Sequence, residues 1–220
     1  MSIEKQLPST RTTELDSICQ RAEVIPVLTI ERLEDAIPLG RALVEGGLPV
    51  IEITLRTDCA LEALKRMNEE LPRASVGAGT VLTPAQYRQA EQAGADFVVT
   101  PGATDTLYRY GVSSPVPMLP GVATVSELMA GWQYGYRRFK FFPAQASGGV
   151  AALKSFAAPI PGALFCPTGG ITLENAESYL ELPNVMCVGG SWITPKKLID
   201  AEDWDGIRKL AREAADRFHH

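Results

Sequence analysis

An α/β fold of the (β/α)8 type, a single TIM barrel spanning residues 1–220 with an extra N-terminal helix, is what the sequence predicts. Three observations point to it. Short runs rich in Val, Ile, Leu and Phe recur eight times along the chain. Each begins roughly 18–26 residues after the last, the length a helical crossover needs to return the chain for parallel pairing. The runs are not clean apolar–polar alternations, as expected of parallel strands buried on both faces. The segments between them open with helix-start signals. An open, doubly wound sheet is the alternative architecture that the same spacing allows.

Residues 10–22 read as an additional helix, placed at the bottom of the barrel, within an extension over residues 1–22. The strands follow at 24–29 (VIPVLT), 49–55 (PVIEITL), 75–80 (SVGAGT), 97–100 (FVVT), 115–119 (PVPML), 138–142 (RFKFF), 163–167 (ALFCP) and 185–189 (VMCVG). Thr83, Pro84 and Gln86 offer an N-cap, a first-turn proline and a capping-box glutamine. Thr124 and Glu127 form a second capping box. Thr194-Pro195 is expected to open the last helix, in which Trp204, Ile207, Leu210, Ala211 and Ala214 share one face that packs on the barrel. No low-complexity stretch or linker divides the chain.

Composition narrows the function. The chain has 21 Lys and Arg against 26 Asp and Glu, for a net charge of -5. That balance provides no footprint for nucleic acid and no basic block for an anionic membrane. No apolar run approaches the roughly 20 residues that span a bilayer. The N-terminus MSIEKQLPSTRTTELDS lacks the apolar core of a secretory signal, so a cytoplasmic location is expected. The four cysteines, at 19, 59, 166 and 187, read as small core residues in a reducing compartment. The only histidines are His219 and His220, native or part of a tag. A Ser-His-Asp triad, a Cys-His pair and a histidine zinc site are therefore not expected. No metal and no cofactor is called for, and the chemistry must come from other residue types.

Two strands carry it. In RFKFF, side chains alternate, so Phe139 and Phe141 face the helices while Lys140 points into the barrel. Desolvation favours a neutral amine, the form a Schiff-base nucleophile requires. A lysine snorkelling to a strand end, or paired for structure alone, would look the same in sequence. In IEITLR, Ile51, Ile53 and Leu55 alternate with Glu52, Thr54 and Arg56. Those three polar groups then share the interior with Lys140, where layers of Val, Ile and Leu are the norm. Glu52 is a candidate general acid/base and Arg56 a candidate fork for a carboxylate. A buried Glu–Arg pair is the plainer reading. Thr80, at the end of the third strand, either binds a carboxylate oxygen or caps a turn. Pro101 and Phe142 are candidate apolar walls. Gly169-Gly170 and Gly189-Gly190-Ser191 follow the last two strands, where barrel enzymes often bind phosphate on glycine N–H groups. Lys196 and Lys197 read as a solvated face.

Taken together, VIPVL at 24–28, IEITLR at 51–56, GAGTV at 77–81, TPG at 100–102, PGVATVSE at 120–127, FKFFPA at 139–144, CPTGGI at 166–171 and GGSW at 189–192 resemble the 2-keto-3-deoxy-6-phosphogluconate (KDPG) and 4-hydroxy-2-oxoglutarate (KHG) aldolases. These are class I, Schiff-base aldolases. The resemblance covers nearly all of the chain after about residue 15. It implies Lys140 as the Schiff-base lysine, Glu52 as the proton-transfer residue, and Arg56 and Thr80 on the pyruvate carboxylate. It implies Pro101 and Phe142 beside the same pocket, and Gly169, Gly170, Gly190 and Ser191 on phosphate. It further implies a small phosphorylated 2-keto acid as substrate, a homotrimer, and a place in the Entner–Doudoroff pathway. A phosphosugar epimerase or isomerase, which needs no covalent lysine, and a non-catalytic phosphosugar-binding module remain the competing readings.

Overall fold

The computed structural model describes residues 7–218. His219 and His220 lie outside the described residues. The chain opens with helix α1 (Ser9–Cys19) and strand β1 (Val24–Leu28). A 3-10 turn at Leu33–Asp35 leads into α2 (Ala36–Glu45), then β2 (Val50–Thr54), α3 (Ala60–Glu70), β3 (Ser75–Gly79), α4 (Pro84–Gln92), β4 (Val98–Val99) and α5 (Asp105–Ser113). Next come β5 (Met118–Leu119), β6 (Gly121–Val122), α6 (Val125–Gln133), β7 (Arg138–Phe141) and α7 (Gly149–Ala157). The chain continues through β8 (Leu164–Pro167), α8 (Ala176–Leu180), β9 (Val188–Gly190), α9 (Lys196–Asp200) and α10 (Trp204–Phe218).

All strand pairs are parallel. They form a curled sheet in two pieces, β5-β4-β3-β2-β1-β9 and β6-β7-β8. The pieces are separated at Pro120, one residue past the expected fifth strand at 115–119. Proline has no N–H to give to a ladder. Its carbonyl instead accepts from Lys140 N at 2.9 Å. Met118–Leu119 therefore pairs with β4, and Gly121–Val122 turns to β7. At the other seam only isolated bridges join β8 to the β9 side, Phe165 to Val185 and Thr168 to Gly189.

Helices cover the outer face of the sheet. Phe139 and Phe141 are fully buried there as expected. Phe141 meets Phe156 of α7 edge-on at 5.9 Å, and Phe139 and Phe141 both lie against Phe165 of β8. The cap at Thr83 and the complete capping box of Thr124 and Glu127 form as read from sequence. The expected last helix does not run unbroken from Thr194-Pro195. Thr194 makes no cap, and α9 stops at Asp200. Glu202 then takes a left-handed φ of 52°, and Asp203 Oδ1 accepts from Gly206 N at 2.8 Å to start α10. An Asx cap won over the proline signal there. On α10, Ile207, Ala211, Ala214 and Phe218 are buried, while Trp204 and Leu210 are half-buried.

Helix α1 lies across the amino ends of the strands. Asp16 accepts from Arg138, at the start of β7, at 2.5 and 2.7 Å. Arg21, just past the helix, donates to Ser75 Oγ at the start of β3. Leu15 and Cys19 are the buried residues of this helix. The carboxyl ends of the strands are left open on the opposite side. Among the described residues no helix is long and apolar enough to cross a membrane.

Candidate active site

Lys140 and Glu52 sit on strands from the two pieces of the sheet, and the curl turns their concave faces toward each other. Lys140 is held in register between Gly121 of β6 and Cys166 of β8. Glu52 is held between Val27 of β1 and Gly77 of β3. Both side chains are buried, Lys140 with 5% and Glu52 with 4% of its surface exposed. Lys140 Nζ donates to Glu52 Oε1 at 3.0 Å and to Oε2 at 3.2 Å. An unpaired buried ammonium would lose several kcal/mol of hydration, and the carboxylate offsets that loss. The two groups thus stabilise each other in a buried interior, and a proton can pass between them over one hydrogen bond.

The packing around the pair is tight. A Cβ at Gly79 would lie 2.6 Å from Glu52 Cγ and 2.7 Å from its Cδ. A Cβ at Gly121 would lie 2.5 Å from the Thr100 carbonyl, beside Pro101. Both glycines are required by close approach, one to the carboxylate and one to the neighbouring chain. Thr80 follows with a φ of 58°. For a β-branched residue that is an outlier, and such conformations cost about 1–3 kcal/mol. Thr54 is buried beside Glu52's strand neighbours and donates to the Leu28 carbonyl at 2.7 Å.

A cavity of about 280 Å³ opens at the carboxyl ends of the strands. Arg56, Phe142, Gly169, Gly170, Gly190 and Ser191 all line it. The Phe142 ring also stands 5.4 Å from Lys140 Nζ, so it joins the buried pair to the cavity. Gly169 and Gly170 take φ values of 96° and 76°, which glycine alone adopts freely. Asn175 Nδ2 donates to the Gly170 carbonyl at 2.9 Å and its Oδ1 accepts from Thr172 N at 2.9 Å, which braces this loop. At Gly190 the Trp192 ring occupies the space a side chain would need.

Six of the expected site residues therefore share one cavity wall. Lys140 and Glu52 form the pair behind it, while Thr80 and Pro101 lie at the ends of neighbouring strands, outside the cavity wall. Arg56 is corrected in one respect. It does not point into the interior beside Lys140; β2 ends at Thr54, and Arg56 is exposed on the rim. Among the described residues it has no ion-pair partner, so its guanidinium is available to an anion. Thr168, Val27 and Thr29 also line the cavity, and Gly79 shapes Glu52. Sequence reading passed over these. CPTGG did mark Thr168 as adjacent, but only the register across strands marks Gly79. Lys196 is exposed, as expected, yet paired with Glu31 and Asp200.

Fold and site together define an α/β protein with a curled parallel sheet, an amine–carboxylate pair in its interior and a cavity lined by Arg56 and two glycine loops at the strands' carboxyl ends. The family model for KDPG and KHG aldolase matches residues 15–210. The chain belongs to that family. It is 53% identical over 208 residues to the 2-dehydro-3-deoxy-phosphogluconate aldolase of Pseudomonas aeruginosa, covering 94% of each chain. It is 48% identical over 204 residues to the KHG/KDPG aldolase of Escherichia coli K12, covering 93% of this chain and 96% of that one. The crystal structure of KDPG aldolase from Legionella pneumophila, with pyruvate captured as a covalent carbinolamine intermediate, superposes with a TM-score of 0.89 at 48% identity. That match covers 91% of this chain and 97% of the other.

Proposed function

We propose that this chain is a class I aldolase that cleaves 2-dehydro-3-deoxy-6-phosphogluconate to pyruvate and glyceraldehyde 3-phosphate. The observation that carries the reading is the Lys140 amine held 3.0 Å from Glu52 in a buried interior, with Phe142 between it and a glycine-walled cavity. Family membership and the names of the relatives support it. The curled sheet acts as a (β/α)8 barrel, with the chain through Pro120 and the bridges beside β9 completing the ring. Residues 1–220 work as one domain. The protein functions as a cytoplasmic homotrimer in the Entner–Doudoroff pathway, without metal or cofactor.

Glu52 takes a proton from Lys140, and the neutral amine attacks the C2 carbonyl of the substrate. Glu52 returns protons so that the carbinolamine loses water to become an iminium. The iminium draws electrons from C3. Glu52 accepts the C4 hydroxyl proton, the C3–C4 bond breaks, and glyceraldehyde 3-phosphate leaves. Protonation of the enamine and hydrolysis release pyruvate and free Lys140. Arg56, unpaired on the rim, and Thr80 hold the pyruvate carboxylate, with Pro101 and Phe142 as the apolar side of the pocket. Gly169, Gly170, Gly190 and Ser191 receive the phosphate through N–H groups and a hydroxyl. The five-carbon 4-hydroxy-2-oxoglutarate would be cleaved at the same pair to pyruvate and glyoxylate.

Borohydride reduction in the presence of pyruvate tests the reading. A stable adduct should form on Lys140, seen by peptide mass, and Lys140→Ala should lose both trapping and cleavage while keeping the circular dichroism of the parent. Absence of an adduct on any lysine would favour a phosphosugar epimerase or a binding module instead.

A further inference from the structure

A second cavity, of about 190 Å³, adjoins the first and shares Val27, Thr29 and Ser191 with it. It lies between the turn after β1 and the segment from β9 to α9. None of the steps above uses it. Its floor is apolar, formed by Ile30, Leu39 and Ile199. Its rim carries Arg32 and Lys196 against Glu31, Asp35 and Asp200.

These charges are already paired. Asp35 is 4% exposed and accepts from Arg32 Nε at 2.9 Å and Nη2 at 2.7 Å. Lys196 Nζ donates to Glu31 at 2.6 Å and to Asp200 at 3.1 Å. With three carboxylates facing two cations, the rim does not favour an anion. A neutral polyhydroxylated chain suits it. Hydroxyls can donate to the carboxylates and accept from the cations, while the carbon chain lies on the aliphatic floor. Thr29 adds a directed contact. Thr54 gives its proton to the Leu28 carbonyl, so in the 3.1 Å contact between the two hydroxyls Thr29 is the donor. The free lone pairs of Thr29 then accept from a ligand hydroxyl. Water takes about 30 Å³ per molecule in the liquid, so this space holds several hydroxymethylene groups.

We infer that the second cavity is a polyol subsite, which receives the hydroxylated tail of an uncharged aldehyde longer than a triose during carbon–carbon bond formation. The inference rests on the aldolase reading of Lys140 and Glu52. The enamine carbon of lysine-bound pyruvate attacks the aldehyde carbon, and one C–C bond forms. The aldehyde oxygen takes the proton held by Glu52. Water then hydrolyses the iminium, releasing a longer 2-keto-3-deoxy acid and the free amine. The aldehyde tail runs along Val27 and Thr29, past Ser191, into the second cavity.

The test compares pyruvate addition to D-glyceraldehyde and to D-erythrose in the full-length protein, with cleavage of the phosphorylated six-carbon acid as control. The expected result is a kcat/KM about tenfold higher for D-erythrose, the worth of one or two added hydrogen bonds. Ile199→Phe, which fills the floor of the second cavity only, should erase that difference and leave the control within about twofold, a shift of a few tenths of a kcal/mol. Lys196→Met, at an exposed position, does the same if the phenylalanine variant does not fold. Equal rates with the two aldehydes, or a difference that survives both substitutions, would overturn the inference. Titration with ribitol, followed at the methyl resonances of Ile30 and Ile199, reads the subsite even if the control shows no aldolase activity. Shifts at those methyls support it, and their absence refutes it.

Discussion

On the proposed mechanism, much of the chemistry rests on the single side chain of Glu52. It shares a hydrogen bond with Lys140 in a buried site, and no other carboxylate among the described residues pairs with that lysine. Glu52→Gln keeps the shape and removes the proton acceptor. Turnover should fall by about 10²–10⁴-fold, as general acid–base catalysis is worth, with a much smaller change in pyruvate KM. Near-normal turnover in steady-state assays would remove Glu52 from its assigned role. On the same proposal Gly79 acts as a positioning residue, since a Cβ there would meet the Glu52 side chain. Gly79→Ala places a methyl against the Glu52 side chain, at 2.6 Å from Cγ, and must displace the carboxylate. A misplacement near 1 Å costs about 100-fold in rate. We expect that loss in kcat with an unchanged far-ultraviolet spectrum; full activity would mean that Glu52 tolerates the shift. Lys140 and Glu52 were legible in sequence because a charge in an aromatic or aliphatic strand breaks the local pattern. Gly79 was not, because its neighbour across the sheet is 27 residues away in the chain, a separation that Glu52 and Gly79 reveal only when paired strands are seen.

Helix α5 illustrates what an element's first turn contributes. Asp105 Oδ2 accepts from Arg109 Nε at 2.7 Å, and its Oδ1 accepts from the Tyr134 hydroxyl. The Arg109 hydrogen bond, then the Tyr134 one, holds the Asp105 carboxyl below its ordinary value of 3.8. The helix N-terminus favours the same negative charge. A carboxyl with a depressed folded value stabilises the fold above its unfolded value and loses that contribution as pH falls through the folded one. Asp105→Asn should therefore lower the urea midpoint at neutral pH, and the gap to the parent should close as the pH drops below 3.8. A gap that is independent of pH would assign the effect to packing instead. At this scale sequence signals held where a cap is purely local, as at Thr124 and Glu127. They misled at Thr194-Pro195, where Asp203 starts a separate helix. Proline at a helix start permits a helix, but does not fix how far it runs.

The whole molecule separates stability from chemistry. Helix α1 closes the amino ends of the strands, while the cavity opens at their carboxyl ends. Leu15, 2% exposed, anchors α1 in the core. Leu15→Ala should cost about 2–5 kcal/mol of stability through lost burial and a residual cavity. Denaturant titration should show that drop, with kcat for the folded enzyme unchanged. A parallel fall in kcat would mean that α1 also shapes the site. Helix α1 was readable from sequence to within a few residues, over 9–19 against an expected 10–22.

By itself the sequence determined the order of strands and helices, the inward lysine and glutamate, and the two glycine loops. Each of these is written in local alternation, spacing or backbone freedom. Only the tertiary structure decided that Arg56 stands on the rim, that Pro120 parts β5 from β6, and that Gly79 must lack a side chain. It alone shows a second cavity beside the first. Those features depend on which strands lie side by side, and that is settled by the curl of the sheet and the packing between distant segments, which no local window of residues contains.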